Sequence, residues 1–161
     1  MGLMYMSNPE IDEDGNKFWY NEQGKLHRVD GPAIKWWNGD KEWRNVDGVV
    51  HREDGPAIIL SSGSTLYYRD GKLHREDGPA CEWGSGSKEW WLNDKLHRED
   101  GPAIEDANGT NEWWLNGNRH REDGPAIEDA YGSKQWWLND KQYTEEEYVM
   151  IQFMNGVNIY A

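Results

Sequence analysis

The chain has 161 residues, 17 Lys and Arg against 30 Asp and Glu, and a formal net charge of −13. This acidity excludes nucleic-acid or anionic-lipid binding through a general basic surface, no apolar run is long enough to span a membrane, and the length predicts one domain. Leu, Ile, Val and Phe are scarce, which with this charge would read as disorder, but 11 Trp and 8 Tyr reverse that reading, because each buried aromatic removes about 150–250 Å² from water.

The predicted core is therefore aromatic. Residues 1–16 read as an N-terminal tail or cap. Met1 to Ile11 carries neither the basic n-region nor the long apolar stretch of a secretory signal. From 17 to 142 the chain repeats. The string His-Arg-x-Asp-Gly-Pro-Ala starts at His27, His51, His74, His97 and His120, at spacings of 24, 23, 23 and 23. An aromatic block follows each copy (Trp43, Tyr67-Tyr68, Trp90-Trp91, Trp113-Trp114, Trp136-Trp137), and a half-copy, Lys17-Phe18-Trp19-Tyr20, precedes the first.

Each period must be one small supersecondary unit. Asn38-Gly39, Ser62-Gly63, Ser85-Gly86, Asn108-Gly109 and Tyr131-Gly132 are hairpin-turn signals. Their flanks are short strand candidates, rich in aromatic residues. An identical motif in every copy requires an even number of strands per repeat. The prediction is two, with Asp-Gly-Pro as a corner in a longer turn that starts at Gly24, Gly48, Gly71, Gly117 or the Asn-Asp pairs. The fold class is thus an all-β repeat protein: stacked β-hairpins, two strands per 23-residue repeat, in one elongated twisted antiparallel sheet. A two-residue turn at Asn108-Gly109 would set Ile104 opposite Trp113 and Ala103 opposite Trp114. It would also oppose Glu105 to Glu112 and Glu82 to Glu89, an unfavourable pairing.

Residues 143–161 close the chain with a capping helix and tail. Thr144-Glu145-Glu146-Glu147 is a capping box, Tyr148, Ile151 and Met154, widened by Val149 and Phe153, form an apolar stripe, and Asn155-Gly156 is a stop. The predicted helix spans 145–154 and covers the last aromatic rung.

The period and the pattern Trp-x-Asn-Gly-x-x-His-Arg-x-Asp-Gly resemble the MORN-type repeat family, in the variant form of bacterial and bacteriophage proteins. Trp113, Gly117, His120 and Gly124 carry the match. Arg121 stands where that family usually has glycine, and Pro125-Ala126 is added. The resemblance covers about 125 residues. It implies stacked hairpins and a scaffold or protein-binding role rather than catalysis, and a phage or bacterial inhibitor or antitoxin-like binder of a host factor.

Candidate residues fall into two sets. His51, His74, His97 and His120, with Asp54, Asp77, Asp100 and Asp123, are read as a structural ladder. One repeat is a step of roughly 10 Å at two strand spacings, too far for a shared zinc ion with ligands at about 2.0–2.1 Å. Each imidazole is expected to pack on rings and bond a loop carbonyl. Arginine is expected to reach a glutamate of the adjacent strand, and aspartate to take backbone N–H groups. Glu53, Glu76, Glu99 and Glu122 beside the arginines argue against a phosphate site. The second set is Tyr68, Trp91, Trp114 and Trp137. Adjacent aromatics point to opposite sheet faces, and this column is the one left partly open, a candidate interaction face. The column of Trp43, Tyr67, Trp90, Trp113 and Trp136, joined by Leu92, Leu115 and Leu138, is the better core candidate.

No catalytic signature appears, so no enzyme, cofactor or metal is expected. The function expected is a non-catalytic acidic scaffold that binds another protein with a basic surface, one version being mimicry of nucleic acid by spaced carboxylates. The alternative is a nucleotide- or sugar-binding protein using Trp and Arg ladders. Neither direct nucleic-acid binding nor membrane association is expected, and homo-oligomerisation stays open. One cysteine, Cys81, precludes an internal disulfide and fits a reducing cytoplasm, that of the host cell if a phage encodes the chain.

Overall fold

The computed structural model describes residues 8–156. Met1–Ser7 and residues 157–161, parts of the two terminal segments assigned above, lie outside them. The fold is mostly β, as the repeat pattern requires: one 13-stranded antiparallel sheet built from sequential hairpins, followed by a helix, Glu145–Met154. Nearly all strands are two residues long. In sheet order they begin Glu10–Ile11, Lys17–Phe18, Ile34–Lys35, Lys41–Glu42 and Ile58–Ile59, and they end at Lys134–Leu138 and Lys141–Tyr143. Among the described residues no helix is long and apolar enough to cross a membrane.

Each rung holds an inner hairpin in this sheet and an outer hairpin beside it. The outer hairpins are Tyr68–Arg69 with Lys72–Leu73, Trp91–Leu92 with Lys95–Leu96, and Trp114–Leu115 with Asn118–Arg119. Earlier in the chain they shrink to single bridges, Tyr20 with Leu26 and Arg44 with Val50. In the last rung the inner and outer strands fuse into Lys134–Leu138. The stretch read from sequence as one long turn thus contains a second small hairpin. The strand number per repeat remains even, and two strands per repeat belong to the continuous sheet.

Six rungs result, because residues 10–26 already form one. Asp12 N–H bonds the Asn16 carbonyl, and Gly15 N–H bonds the Asp12 carbonyl. The strand at Glu10–Ile11 lacks the Pro-Ala-Ile signature of its later counterparts, so sequence showed only its partner, Lys17–Phe18. The five copies of His-Arg-x-Asp-Gly-Pro-Ala are the five connectors between six rungs.

The outer turns explain the spacing of 24. Asp70-Gly71, Asn93-Asp94, Asn116-Gly117 and Asn139-Asp140 all have positive φ at both positions, the two-residue turn whose twist suits a hairpin. In the second rung Asn45 N–H reaches the Val49 carbonyl, and Gly48 alone has positive φ. That turn has three residues, and the extra one lengthens the period between His27 and His51.

The inner turns also have three residues, not two. Asp106 N–H bonds the Thr110 carbonyl, Gly109 N–H bonds the Asp106 carbonyl, and Gly109 takes φ +94°. This is a type I turn closed by a left-handed residue. The register moves by one: Ile104 opposes Glu112, Glu105 opposes Asn111, and Glu82 opposes Lys88. The opposed glutamates expected from a two-residue turn do not occur. Lys88 faces Glu82 on one side and Glu105 on the other, pairs that stabilise a sheet.

The fully buried positions are small. Ala33, Ala57, Ala80, Ala103 and Ala126, the last residue of each motif, are 0% exposed. Their carbonyls accept the N–H of Trp19, Trp43, Tyr67, Trp90 and Trp113. Most aromatics are half-buried, so the core is an alanine spine flanked by rings rather than a packed aromatic interior.

The helix occupies the predicted span and carries the predicted capping box, with Thr144 Oγ1 accepting from Glu147 N–H and the Glu147 carboxylate accepting from Thr144 N–H. Its buried residues are Tyr148 and Gln152, whereas Met150, Phe153 and Met154 are exposed. The apolar stripe is corrected accordingly. The helix docks on the last connector, whose backbone offers polar groups: Tyr148 Oη accepts from Gly124 N–H and donates to the Arg121 carbonyl, both at 3.1 Å. A phenol satisfies both, and an alkyl side chain satisfies neither.

Two substitutions test these contacts. A Cβ at Gly84 would lie 2.2 Å from the Ser62 carbonyl oxygen of the neighbouring turn, so Gly84→Ala should destabilise by about 1–3 kcal/mol in urea unfolding. An unchanged midpoint would contradict the turn-to-turn approach. Tyr148→Phe should cost about 1–3 kcal/mol, since Gly124 N–H and the Arg121 carbonyl lose their partner, and the loss should appear in the same measurement.

Candidate interaction face

The connector begins with its arginine. Arg98 stacks on the ring of Trp90, its Cζ 3.9 Å from the centroid. Arg28, Arg52, Arg75 and Arg121 do the same on Trp19, Trp43, Tyr67 and Trp113, at 3.8–4.5 Å. Arg98 Nε donates to Asp100 at 2.8 Å, and Nη1 donates to the Pro102 carbonyl at 3.1 Å and to Glu105 at 2.7 Å. The motif residues follow from this geometry. A Cβ at Gly101 would stand 3.0 Å from Arg98 Cζ. Proline supplies a carbonyl without a competing N–H.

The expected bond from arginine to an adjacent-strand glutamate occurs for Arg75, Arg98 and Arg121, which meet Glu82, Glu105 and Glu128. At the matching positions after Arg28 and Arg52 stand Lys35 and Ile59. Asp54, Asp77, Asp100 and Asp123 accept from arginine Nε, where loop N–H groups had been expected. Hydrogen bonding to the guanidinium holds the Asp54, Asp77 and Asp100 carboxyls below the usual aspartate range.

The histidines reach from each connector to the next outer turn. Only His27 bonds a carbonyl, that of Arg44, at 2.9 Å. His51, His97 and His120 instead accept at Nδ1 the N–H of Asp70, Asn116 and Asn139. His74 Nδ1 lies 3.2 Å from Asn93 Oδ1. The difference follows the turn type. In three of the two-residue turns the first residue points its N–H at the preceding connector, in the fourth Asn93 offers its side chain instead, and the second rung, which His27 meets, has the three-residue turn.

On the opposite face stand Tyr68, Trp91, Trp114 and Trp137, all half-buried. Each indole N–H is held by the residue two positions earlier: Trp91 by Glu89, Trp114 by Glu112, Trp137 by Gln135. Across the outer hairpins the four rings pair with Leu73, Leu96, Arg119 and Gln142. Arg119 lies over both Trp114 and Trp137, at 4.7 and 5.2 Å. The first column, Trp43, Tyr67, Trp90, Trp113 and Trp136, expected as core, is also half-buried, and connector arginines cover Trp43, Tyr67, Trp90 and Trp113.

Sequence reasoning passed over two features. Trp37, at an inner turn, is 75% exposed, because its position in the turn carries the side chain outward. Glu89 is gripped by two indoles, as Trp83 Nε1 also donates to it. The signal was present in the spacing Trp83, Glu89, Trp91, but the six-residue step crosses a turn and needs the true register. Along the connector edge Glu53, Glu76, Glu99 and Glu122 are 72–88% exposed, beside equally open Asp54, Asp77, Asp100 and Asp123.

No family model and no curated protein matches the chain.

The low aspartate values set a pH dependence. A carboxyl whose folded pKa is depressed stabilises above its unfolded pKa and loses that contribution as pH falls through the folded value. The triple variant Asp54→Asn, Asp77→Asn, Asp100→Asn should therefore unfold at lower urea than wild type at pH 7. The gap should close below the ordinary aspartate pKa of about 3.9. A gap independent of pH would mean that the Arg–Asp pairs do not carry it.

Proposed function

We propose that this chain is a non-catalytic acidic scaffold that binds another protein, one with a basic surface. The observation that carries the reading is the connector edge, where exposed carboxylates recur once per rung while the arginines between them are committed to rings, aspartates and proline carbonyls. The edge presents negative charge at a step of roughly 10 Å; its connector arginines are turned inward, and the exposed Arg69 meets one of the edge carboxylates, Glu76. Such an array attracts a basic partner, speeds encounter and makes binding salt-sensitive. The half-buried ring column on the other face supplies apolar contact area. The resemblance to variant MORN repeats agrees with this role, and an inhibitor of a bacterial host factor is the form it suggests.

A cleft of about 550 Å³ supports a second reading. It lies between two successive connectors and is lined by Arg52, Tyr67, Tyr68, Arg69 and His74 among others. Its size suits a nucleotide or sugar, with rings and guanidinium groups as its recognition chemistry.

Capture from bacterial lysate on the immobilised chain tests the first reading. The partner should elute as salt rises and should be lost with the quadruple variant Glu53→Gln, Glu76→Gln, Glu99→Gln, Glu122→Gln. Equal capture by the variant would refute the electrostatic edge. The second reading requires a nucleotide or glycan to raise the melting temperature, an increase that Arg69→Ala removes.

A further inference from the structure

In the second to sixth rungs, two positions before Arg44, Tyr68, Trp91, Trp114 and Trp137 of the second column, stand Glu42, Leu66, Glu89, Glu112 and Gln135. Three are glutamates, and two of these have an arginine of this chain. Arg44 Nε donates to Glu42. Arg119 Nε lies 3.5 Å from Glu112 while its guanidinium covers Trp114. Among the described residues, no lysine, arginine or histidine nitrogen lies within 4.0 Å of Glu89. Leu96 occupies the place in the fourth rung that Arg119 has in the fifth.

Glu89 is nevertheless held rigidly. Trp83 Nε1 donates to Oε1 at 2.9 Å, and Trp91 Nε1 donates to Oε2 at 2.8 Å. Its neighbours across the sheet, Cys81 and Ile104, are apolar. Burial, with the charge of Glu89 adding to it, pushes the Cys81 thiol up to about 12. Each carboxylate oxygen keeps an unused lone pair. A half-buried carboxylate between two indoles, satisfied only by neutral donors, lacks the cation that its counterparts possess.

Resting on the reading of a basic partner, we propose that Trp83, Glu89 and Trp91 form a receptor for one arginine side chain of that partner. A guanidinium supplies two parallel N–H groups for the free lone pairs and a flat surface for an indole. The chain itself builds this arrangement one rung away, with Glu112, Trp114 and Arg119.

The probe is N-acetyl-arginine amide, titrated into the full chain with indole N–H signals followed by NMR. The Trp83 and Trp91 signals should shift and saturate in the millimolar range, as expected for a single side chain, and those of Trp114 and Trp137 should not. The neutral isostere N-acetyl-citrulline amide should leave all four unmoved. E89Q should bind at least tenfold more weakly; its amide oxygen can keep the Trp91 N–H as Gln135 keeps that of Trp137, with the half-exposed Trp83 N–H turning to water, and an unchanged urea midpoint should show that it folds. L96R should place an internal arginine on the site and abolish the shifts. Equal response to citrulline, full affinity in E89Q, or no shift of Trp83 and Trp91 would each overturn the receptor. If the arginine probe fails while lysate capture remains salt-sensitive and dependent on Glu53, Glu76, Glu99 and Glu122, the receptor falls and the acidic scaffold stands. The opposite pair of results retains the receptor and removes the scaffold reading.

Discussion

In every connector an arginine lies over an aromatic ring of the rung it leaves. In three of them the same guanidinium reaches a glutamate in the rung it enters. This joint is the constraint on which the ribbon depends. Two-residue strands supply few backbone bonds, and an isolated hairpin is marginal in water. The connector adds a cation–π contact, a charge-assisted fork and a fully buried alanine at each junction. Glycine is required where the guanidinium crosses the backbone, and the proline carbonyl receives Nη1 in four of the five connectors. Five residues of the motif thus express one packing problem, solved alike in four connectors and with a two-pronged grip of Arg28 on Asp30 in the first.

A second set of contacts links the outer hairpins. Histidine Nδ1 accepts an N–H from the next turn in three rungs. Asp94 accepts from Leu73 N–H, and Asp140 from Arg119 N–H, while their own N–H groups bond the same residues' carbonyls. Each rung is therefore tied to its neighbour at the inner sheet, the connector and the outer turn. This arrangement lets a chain with few aliphatic residues hold together, since stability accumulates from nearest-neighbour interfaces rather than from one central core.

Function in such an array depends on what repeats and on what does not. The repeated exposed carboxylates form a long anionic edge. The departures from the repeat make local chemistry. Tyr67-Tyr68 replaces a tryptophan pair beside the cleft, Arg119 replaces an aliphatic residue, and Trp83 meets Glu89 in one rung. On the proposed scaffold reading, these singular positions would set a partner in register along an otherwise uniform ribbon.

The repeat, the hairpins, the even strand number and the helix at 145–154 were legible in the residues themselves. Glycine at positive φ, proline at a corner and a capping box act within a few residues of chain, so their spacing suffices. The arginine–glutamate ladder was legible too, because its partners recur at the repeat period. Register was not, since a three-residue and a two-residue turn share the Asn-Gly signature, and one residue of slip exchanges every opposed pair. Nor were the first rung, whose leading strand has no Pro-Ala-Ile mark, the dominance of Tyr148 over Met154, or the grip of two indoles on Glu89. Those depend on which backbone groups and which side chains another rung brings within bonding distance. Local chain chemistry determined the elements, and packing between rungs decided which faces meet.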